Sequence, residues 1–242
     1  MIIQGVTLNG LTVVDNGPVI DGLVLYYDPS NTSSYSGSGT SINNMASYSL
    51  PGTMSNITYT SPYFDYNGTS SQINIADNSL LEPSTGDWTM EAWFNTTAFK
   101  TGSAGVILGK FNPGGLSANV SYSIRTNNTG IVYAQIGNGS TVVNSSNYQT
   151  VLNTWAQVVY VWKNVATNSL ETYINGASIG STSHSFSSIL NTSTNLYIGS
   201  YNGGEYSQYF NGKIGVTRLY NTALTSAQVL QNYNADRAIY GL

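Results

Sequence analysis

Apolar and polar residues alternate with a period of two along most of this chain, which is the pattern of half-buried β-strands. The clearest case runs from Trp155 to Gly176. Residues 157–162 are rich in Val, Tyr and Trp, Lys163–Ser169 is polar, and a second run places Leu170, Thr172 and Ile174 on one face and Glu171, Tyr173 and Asn175 on the other. Asn175-Gly176 ends it with the dipeptide best suited to positive φ in a tight hairpin. Asp87–Thr96 alternates as well: Trp88, Met90, Ala92 and Phe94 share one face, and Thr89, Glu91 and Trp93 the other.

Further strands are expected at 22–27, 63–66, 71–75, 105–110, 120–125, 131–136, 196–200 and 212–220, and two short ones around Asn9-Gly10 within residues 2–14. Residues 41–48 read as a short helix or turn. Helical spacing is clear near the end of the chain, where Thr225 is a good N-cap and Ala227, Val229, Leu230 and Tyr233 follow before Asn234. Many short strands with Gly/Asn-rich turns and one late helix predict an all-β fold, a two-sheet antiparallel β-sandwich with a short C-terminal helix. No repeat of fixed period points to a solenoid or propeller. Residues 1–20 are expected to form an N-terminal strand arm and 21–242 the sandwich domain.

Composition narrows the partners. Charged residues are 7% of the 242, the net charge is −4, and there are 19 Tyr. An average soluble domain carries about 25% charged residues. Seven basic residues spread over the chain cannot form the cationic stripe that nucleic acid requires, so no nucleic-acid partner is expected. With no cysteine, thiolate chemistry is excluded. The opening MIIQGVTLNGL lacks a basic segment followed by a long apolar core, which reads against a signal peptide. No run of ~18 apolar residues predicts membrane insertion.

Five segments occur in a recognisable order: DWTMEAWF (87–94), NTWAQVVYVW (153–162), LETYINGASIGS (170–181), LYIGS (196–200) and FNGKIGVTRLYNTALTSAQVLQNYN (210–234). Together they resemble the laminin G-like, concanavalin A-like lectin/glucanase family of jelly rolls, over about residues 20–236. The flanking GLVLYYDPSNTSSYSGSGT (22–40) and LQNYNADRAIYGL (230–242) are similar to the variety found in bacteriophage and other virion proteins. The resemblance implies two antiparallel sheets, one curved to leave a concave face. It implies no single activity, because the fold hosts lectins, glycanases and structural modules alike.

Glycanases of this family cluster three carboxylates on one strand, as Glu-x-Asp-x-(x)-Glu. Two must flank the scissile bond at about 5–5.5 Å or about 6.5–9.5 Å. Nothing here has that spacing: Asp87 and Glu91 sit roughly 13 Å apart at strand rise. His184, the one histidine, lies in a Ser/Thr-rich stretch and reads as a solvated loop residue. No catalytic residue is assigned and the chain is expected not to be an enzyme. Many relatives carry an acidic metal ligand at the position of Gly215, so no cofactor is expected; Asp28, Asp65 and Asn67 are the residues left to contribute to a calcium site, with Asp28 read more simply as a turn residue.

Sugar binding calls for exposed aromatic faces beside amides or carboxylates. The richest such stretch is the expected loop Tyr201–Phe210, with Tyr201, Asn202, Glu205, Tyr206 and Tyr209 as glycan-binding candidates. Trp93 and Trp162, at strand positions, are expected in the core. In the arm, Ile2, Ile3, Val6, Leu8, Leu11 and Val13 are suited to adding strands to a neighbour's sheet edge. The resemblance and this arm predict a non-enzymatic virion structural protein at the virion surface, foremost a phage capsid decoration protein. Its partners would be other virion proteins or sister subunits. The alternative is a carbohydrate-binding adhesin or receptor-binding module of a tail or fibre, with cell-surface glycan as partner.

Overall fold

The structure is a computed structural model and describes residues 7–8, 11–12, 17–99, 104–111, 119–165, 167–203 and 206–242. Trp88–Thr96 lies at the middle of the first sheet and is buried along its whole length. Its alternation explains why. Trp88, Met90, Ala92 and Phe94 enter the core between the sheets, whereas Thr89, Glu91, Trp93 and Asn95 face outward and are covered as well.

Across the first sheet the order is Ala177–Ser183, Ser169–Ile174, Trp155–Lys163, Trp88–Thr96, Asn211–Tyr220, Tyr63–Asn67 and Thr58–Thr60. Leu23–Tyr27 pairs with the far half of Asn211–Tyr220. Every pairing in it is antiparallel, with Trp162 opposite Trp88 and Val158 opposite Ala92. The turn at Asn175-Gly176 has φ of 50° and 78°, the positive values its sequence calls for, and Ile174 pairs with Ala177 across it.

The second sheet runs Val142–Asn144, Ile131–Gly137, Val120–Thr126, Gly105–Phe111, Leu196–Ile198, Gln72–Ile75, Gly52–Ser55, Ser41–Ile42. Tyr148–Gln149 adds to Ile131–Gly137. One parallel bridge, Val106 to Tyr209, attaches the hairpin Ser200–Gly203/Tyr206–Tyr209. Between the sheets lie Ile73, Ile75, Ile107, Leu108, Tyr122, Ile124, Val132, Leu196 and Ile198 from one side. Burying each such side chain contributes about 1.5–3 kcal/mol.

The helix Ser226–Asp236 starts at Thr225 with a full capping box, Thr225 and Gln228 each bonding the other's backbone. It lies on the outer face of the first sheet. Val229 packs with Val159, Val161, Tyr220 and Leu224, and Tyr233 and Tyr240 stack on Trp93. Among the described residues no helix is long and apolar enough to cross a membrane.

Two expectations need correction here. Residues 41–48 form no helix: Ser41–Ile42 is a strand, and the Asn44 amide bonds the edge of Leu23–Tyr27 instead. Tyr201–Phe210 is a β-hairpin rather than a loop, because the ladder satisfies backbone groups that would otherwise be covered unpaired. In the arm, Thr7–Leu8 pairs with Leu11–Thr12 around Asn9-Gly10; Ile2, Ile3, Val6 and Val13 lie outside the described residues. Val19 is already 2% exposed and its N–H donates to Asn232 at 2.8 Å, so residues just before 21 are anchored to the sandwich.

Candidate functional site: one closed and one open sheet face

The two outer faces differ in what covers them. On the first sheet, a buried polar cluster sits under the helix. Arg218 donates to Glu91 Oε1 at 2.9 Å and to both oxygens of Asp236 at 2.6 and 2.9 Å. Gln157 and Asn232 donate to Glu91 at 2.8 and 2.6 Å, and Trp93 Nε1 donates to Asp236 at 3.1 Å. Burial opposes the charge of Arg218, but the Asp236 and Glu91 carboxylates overcome it and hold its pKa well above the ordinary value. Burial pushes Glu91 up, against the pull of Arg218. With both carboxylates spent on one guanidinium and no access from solvent, this cluster clamps helix to sheet and offers no catalytic pair.

The outer face of the second sheet is covered only in part among the described residues: Val106, Phe111, Val120 and Tyr201 form a buried cluster over its middle, where Ser123 is fully buried, whereas Thr53 and Asn144 are exposed and Asn74, Tyr197 and Gln135 half-buried. Its register sets one row of outward residues across seven strands: Thr53, Asn74, Tyr197, Gly109, Ser123, Gln135 and Asn144. Their neighbours Ile73, Ile75, Leu196, Ile198, Ile124, Ala134 and Ile136 point into the core. Beside that cluster the face is polar by alternation, with half-buried Tyr197 between Gly109 and Asn74. Gly109 is required there, since the Phe111 ring lies over it and a Cβ would come within 2.2 Å.

Hydrogen bonds orient this row. Asn195 donates its amide to Asn74 Oδ1 at 2.8 Å and accepts from Asp77 N–H at 3.1 Å, leaving the Asn74 amide nitrogen as a donor. Arg125 donates to Gln135 Oε1 at 2.7 Å and to Gln208 Oε1, fixing both amides. Burial lowers the pKa of Arg125. Burial also raises that of the Tyr197 phenol, with Tyr209 close enough to add to the effect. Tyr197 and Tyr209, flanked by Asn74, Asn195 and Thr53, thus make an aromatic and amide surface, the chemistry that stacks on a sugar ring and bonds its hydroxyls.

Of the candidates in Tyr201–Phe210, Tyr201 requires correction. It is 3% exposed and packs on Phe111 at 4.4 Å between ring centroids, so neither ring face is free for a ligand. Tyr209 stands half-buried beside Tyr197. Asn202 and Tyr206 are in the hairpin strands, and Glu205 lies outside the described residues. Sequence reasoning passed over Tyr197 and Asn74, although the period-two pattern of LYI and QINI already set them opposite the core residues.

Trp93 and Trp162 are fully buried, as expected. His184 lies in a loop, as expected, but is half-buried rather than solvated: its ring stacks on Trp162 at 3.6 Å and its Nε2 meets the Lys163 carbonyl at 3.2 Å. Asp87 Oδ1 accepts the Asn164 and Val165 N–H groups. The calcium donors are likewise engaged. Asp28 accepts from Ser30 N–H and Oγ, Asp65 from Thr60 Oγ1, and Asn67 Oδ1 from the Thr69, Ser70 and Ser71 N–H groups. No group of three or more metal-ligating side chains occurs among the described residues. The acidic ligand of relatives does not fit at Gly215, whose free space the Tyr240 hydroxyl fills.

Fold and faces define a jelly-roll domain with one face closed by a helix and one covered over its middle but polar and aromatic around Tyr197. The laminin G-type family of the concanavalin A-like lectin/glucanases superfamily matches residues 67–230, and the chain belongs to it. No curated protein matches the sequence. Among solved structures, botulinum neurotoxin type C, described as entering cells through two ganglioside molecules, aligns with TM-score 0.67 and 12% identity over 88% of this chain and 51% of that one. A botulinum neurotoxin DC binding domain in complex with SialylT aligns with TM-score 0.64 and 12% identity, over 89% of this chain and 52% of that one. Trypanosoma rangeli sialidase aligns with TM-score 0.67 and 13% identity, over 99% of this chain and 37% of that one. The chain spans about half the length of the toxin chains and less of the sialidase; at these identities the likeness is one of fold.

Proposed function

We propose that this chain is a non-enzymatic carbohydrate-binding module that holds glycan on the accessible part of its second sheet's outer face, around Tyr197. The observation that carries this is the row centred on Tyr197, with Asn74 held as a donor and Tyr209 alongside. The toxin domains of the same fold, one in complex with SialylT, support a receptor-binding role. Glycan-array screening of the chain, repeated with Tyr197→Ala, tests it: the reading requires hits that the substitution abolishes. An array blank at millimolar glycan sinks it.

The setting we propose is the surface of a virus particle, foremost as an adhesin or receptor-binding module of a tail or fibre. The resemblance of residues 22–40 and 230–242 to virion proteins supports that setting. Capsid decoration is the second reading, favoured by the apolar arm at residues 2–14. Removing residues 1–16 separates them: a decoration protein folds but no longer attaches to particles, while glycan binding survives. Normal attachment of the truncated chain rules out the arm as the contact.

A further inference from the structure

Ala177–Ser183 ends the first sheet with an open edge seven residues long. The other sheet ends are shorter: Thr58–Thr60 and Val142–Asn144 have three residues each and Ser41–Ile42 two. Long edges are normally blunted by charge, proline or a covering segment, since their free N–H and C=O groups recruit other strands. Leu23–Tyr27 shows such protection. The Asn44 side chain bonds Tyr26 N–H at 2.7 Å and the Val24 carbonyl at 2.9 Å, and Met45 N–H reaches the Tyr26 carbonyl at 2.9 Å.

Ala177–Ser183 has neither charge nor proline. No hydrogen bond from the described residues reaches its outward backbone groups. Apolar side chains are also exposed around it. Ile179 is 42% exposed on the strand itself. Leu230, 47% exposed, lies against Gly176 in the turn that leads into it.

The arm joins the domain at the helix and at Tyr220 of Asn211–Tyr220, where the Tyr220 hydroxyl donates to the Val19 carbonyl at 3.1 Å. Gln231, next to Leu230 on the helix, holds the Gly17 carbonyl at 3.0 Å, and Ile20 just beyond is 50% exposed. Among the described residues the arm's Thr7–Leu8 and Leu11–Thr12 pair through two rungs and join neither main sheet. A two-stranded hairpin alone in water is marginal and calls for a further strand. One chain thus carries an unpaired edge and a segment that needs one. A two-fold exchange between copies satisfies both at once and buries the same patch twice.

Building on the reading of residues 2–14 as an assembly contact, we infer that the arm of one copy adds a strand to Ala177–Ser183 of a second copy. Neighbouring first sheets are thereby extended by main-chain pairing.

The chain has no cysteine, so engineered thiols report the contact without background. Full-length chains carrying Val6→Cys, Leu8→Cys or Leu11→Cys are each mixed with full-length Ser181→Cys and oxidised. A disulfide joining the two different chains is expected from at least one arm position. The wild type should sediment as a dimer or larger, and Ile179→Lys with Ser181→Lys should return it to monomer with an unchanged melting temperature. A monomeric wild type overturns the inference, as does the absence of any mixed disulfide. So does a Leu8→Cys/Ser181→Cys chain that links only within itself. If the wild type is monomeric while arm substitutions still abolish particle attachment, the assembly reading survives and this inference alone falls.

Discussion

The hydroxyl of Tyr240 stands where a side chain at residue 215 would be: a Cβ built there would lie 2.0 Å from its oxygen. From that position it accepts the Val216 N–H at 2.8 Å and stacks its ring between Trp93 and Trp155. Gly215→Ala should therefore expel Tyr240 and cost about 1–3 kcal/mol, as for other overpacked sites, read as a lower urea midpoint. Gly215→Asp should lose at least as much and gain no calcium-dependent stabilisation. A midpoint equal to wild type for both, or a calcium response from the aspartate variant, contradicts this packing.

Removal of Arg218 leaves Glu91 and Asp236 buried without their cation. Arg218→Met is expected to cost about 3–5 kcal/mol, the range for breaking a buried ion pair from one side. Replacing Glu91, Arg218 and Asp236 together by apolar residues of similar volume should recover most of that loss. Equilibrium urea unfolding of both variants decides it, and a single substitution within ~0.5 kcal/mol of wild type would show that the cluster is not a clamp.

Stability should fall with acid through His184. Burial against Trp162 lowers its pKa below 6.5, with the Lys163 and Phe186 backbone bonds opposing. Since the folded form binds its proton later than the unfolded form, its contribution is intact above 6.5 and lost as the pH drops through the folded value. Melting temperatures of wild type and His184→Phe, which keeps the stacked ring, should diverge below that point in favour of phenylalanine. Parallel curves would place the acid sensitivity elsewhere.

Period-two alternation made the sheets legible, because burial on one face fixes register and a slip of one residue would turn Phe94 or Ile198 to solvent. The Thr225 cap and the Asn175-Gly176 turn were readable for the same local reasons. The site was harder. Tyr197 and Tyr201 are both tyrosines on strands in the same sheet, and only the Phe111 ring over Gly109 decides that Tyr201 is packed while Tyr197 faces out. His184 looked solvated because its partner, Trp162, lies on a strand that the local sequence does not name. Of the short helix or turn expected at 41–48, the helix is absent because the Asn44 amide seals a strand edge through contacts to Tyr26 and Val24, far from it in the chain, while 46–48 bend.

If Tyr197 is a stacking platform, its ring matters more than its hydroxyl. Tyr197→Phe should retain glycan affinity within a few-fold, Tyr197→Ala should lose about 1–3 kcal/mol by analogy with other aromatic stacking surfaces, and Tyr201→Ala should lower the unfolding midpoint first. Titration calorimetry with the best array hit gives the order. Equal losses for Phe and Ala at 197 would assign the contact to the hydroxyl and reject stacking.

Hydrogen–deuterium exchange of the chain with and without saturating glycan reports which sheet face the ligand covers. Exchange should slow at residues 72–75 and 195–198 and stay unchanged along the helix at 226–236. Protection confined to that helix, or to the Ala177–Ser183 edge, with none at 195–198, would contradict glycan binding around Tyr197.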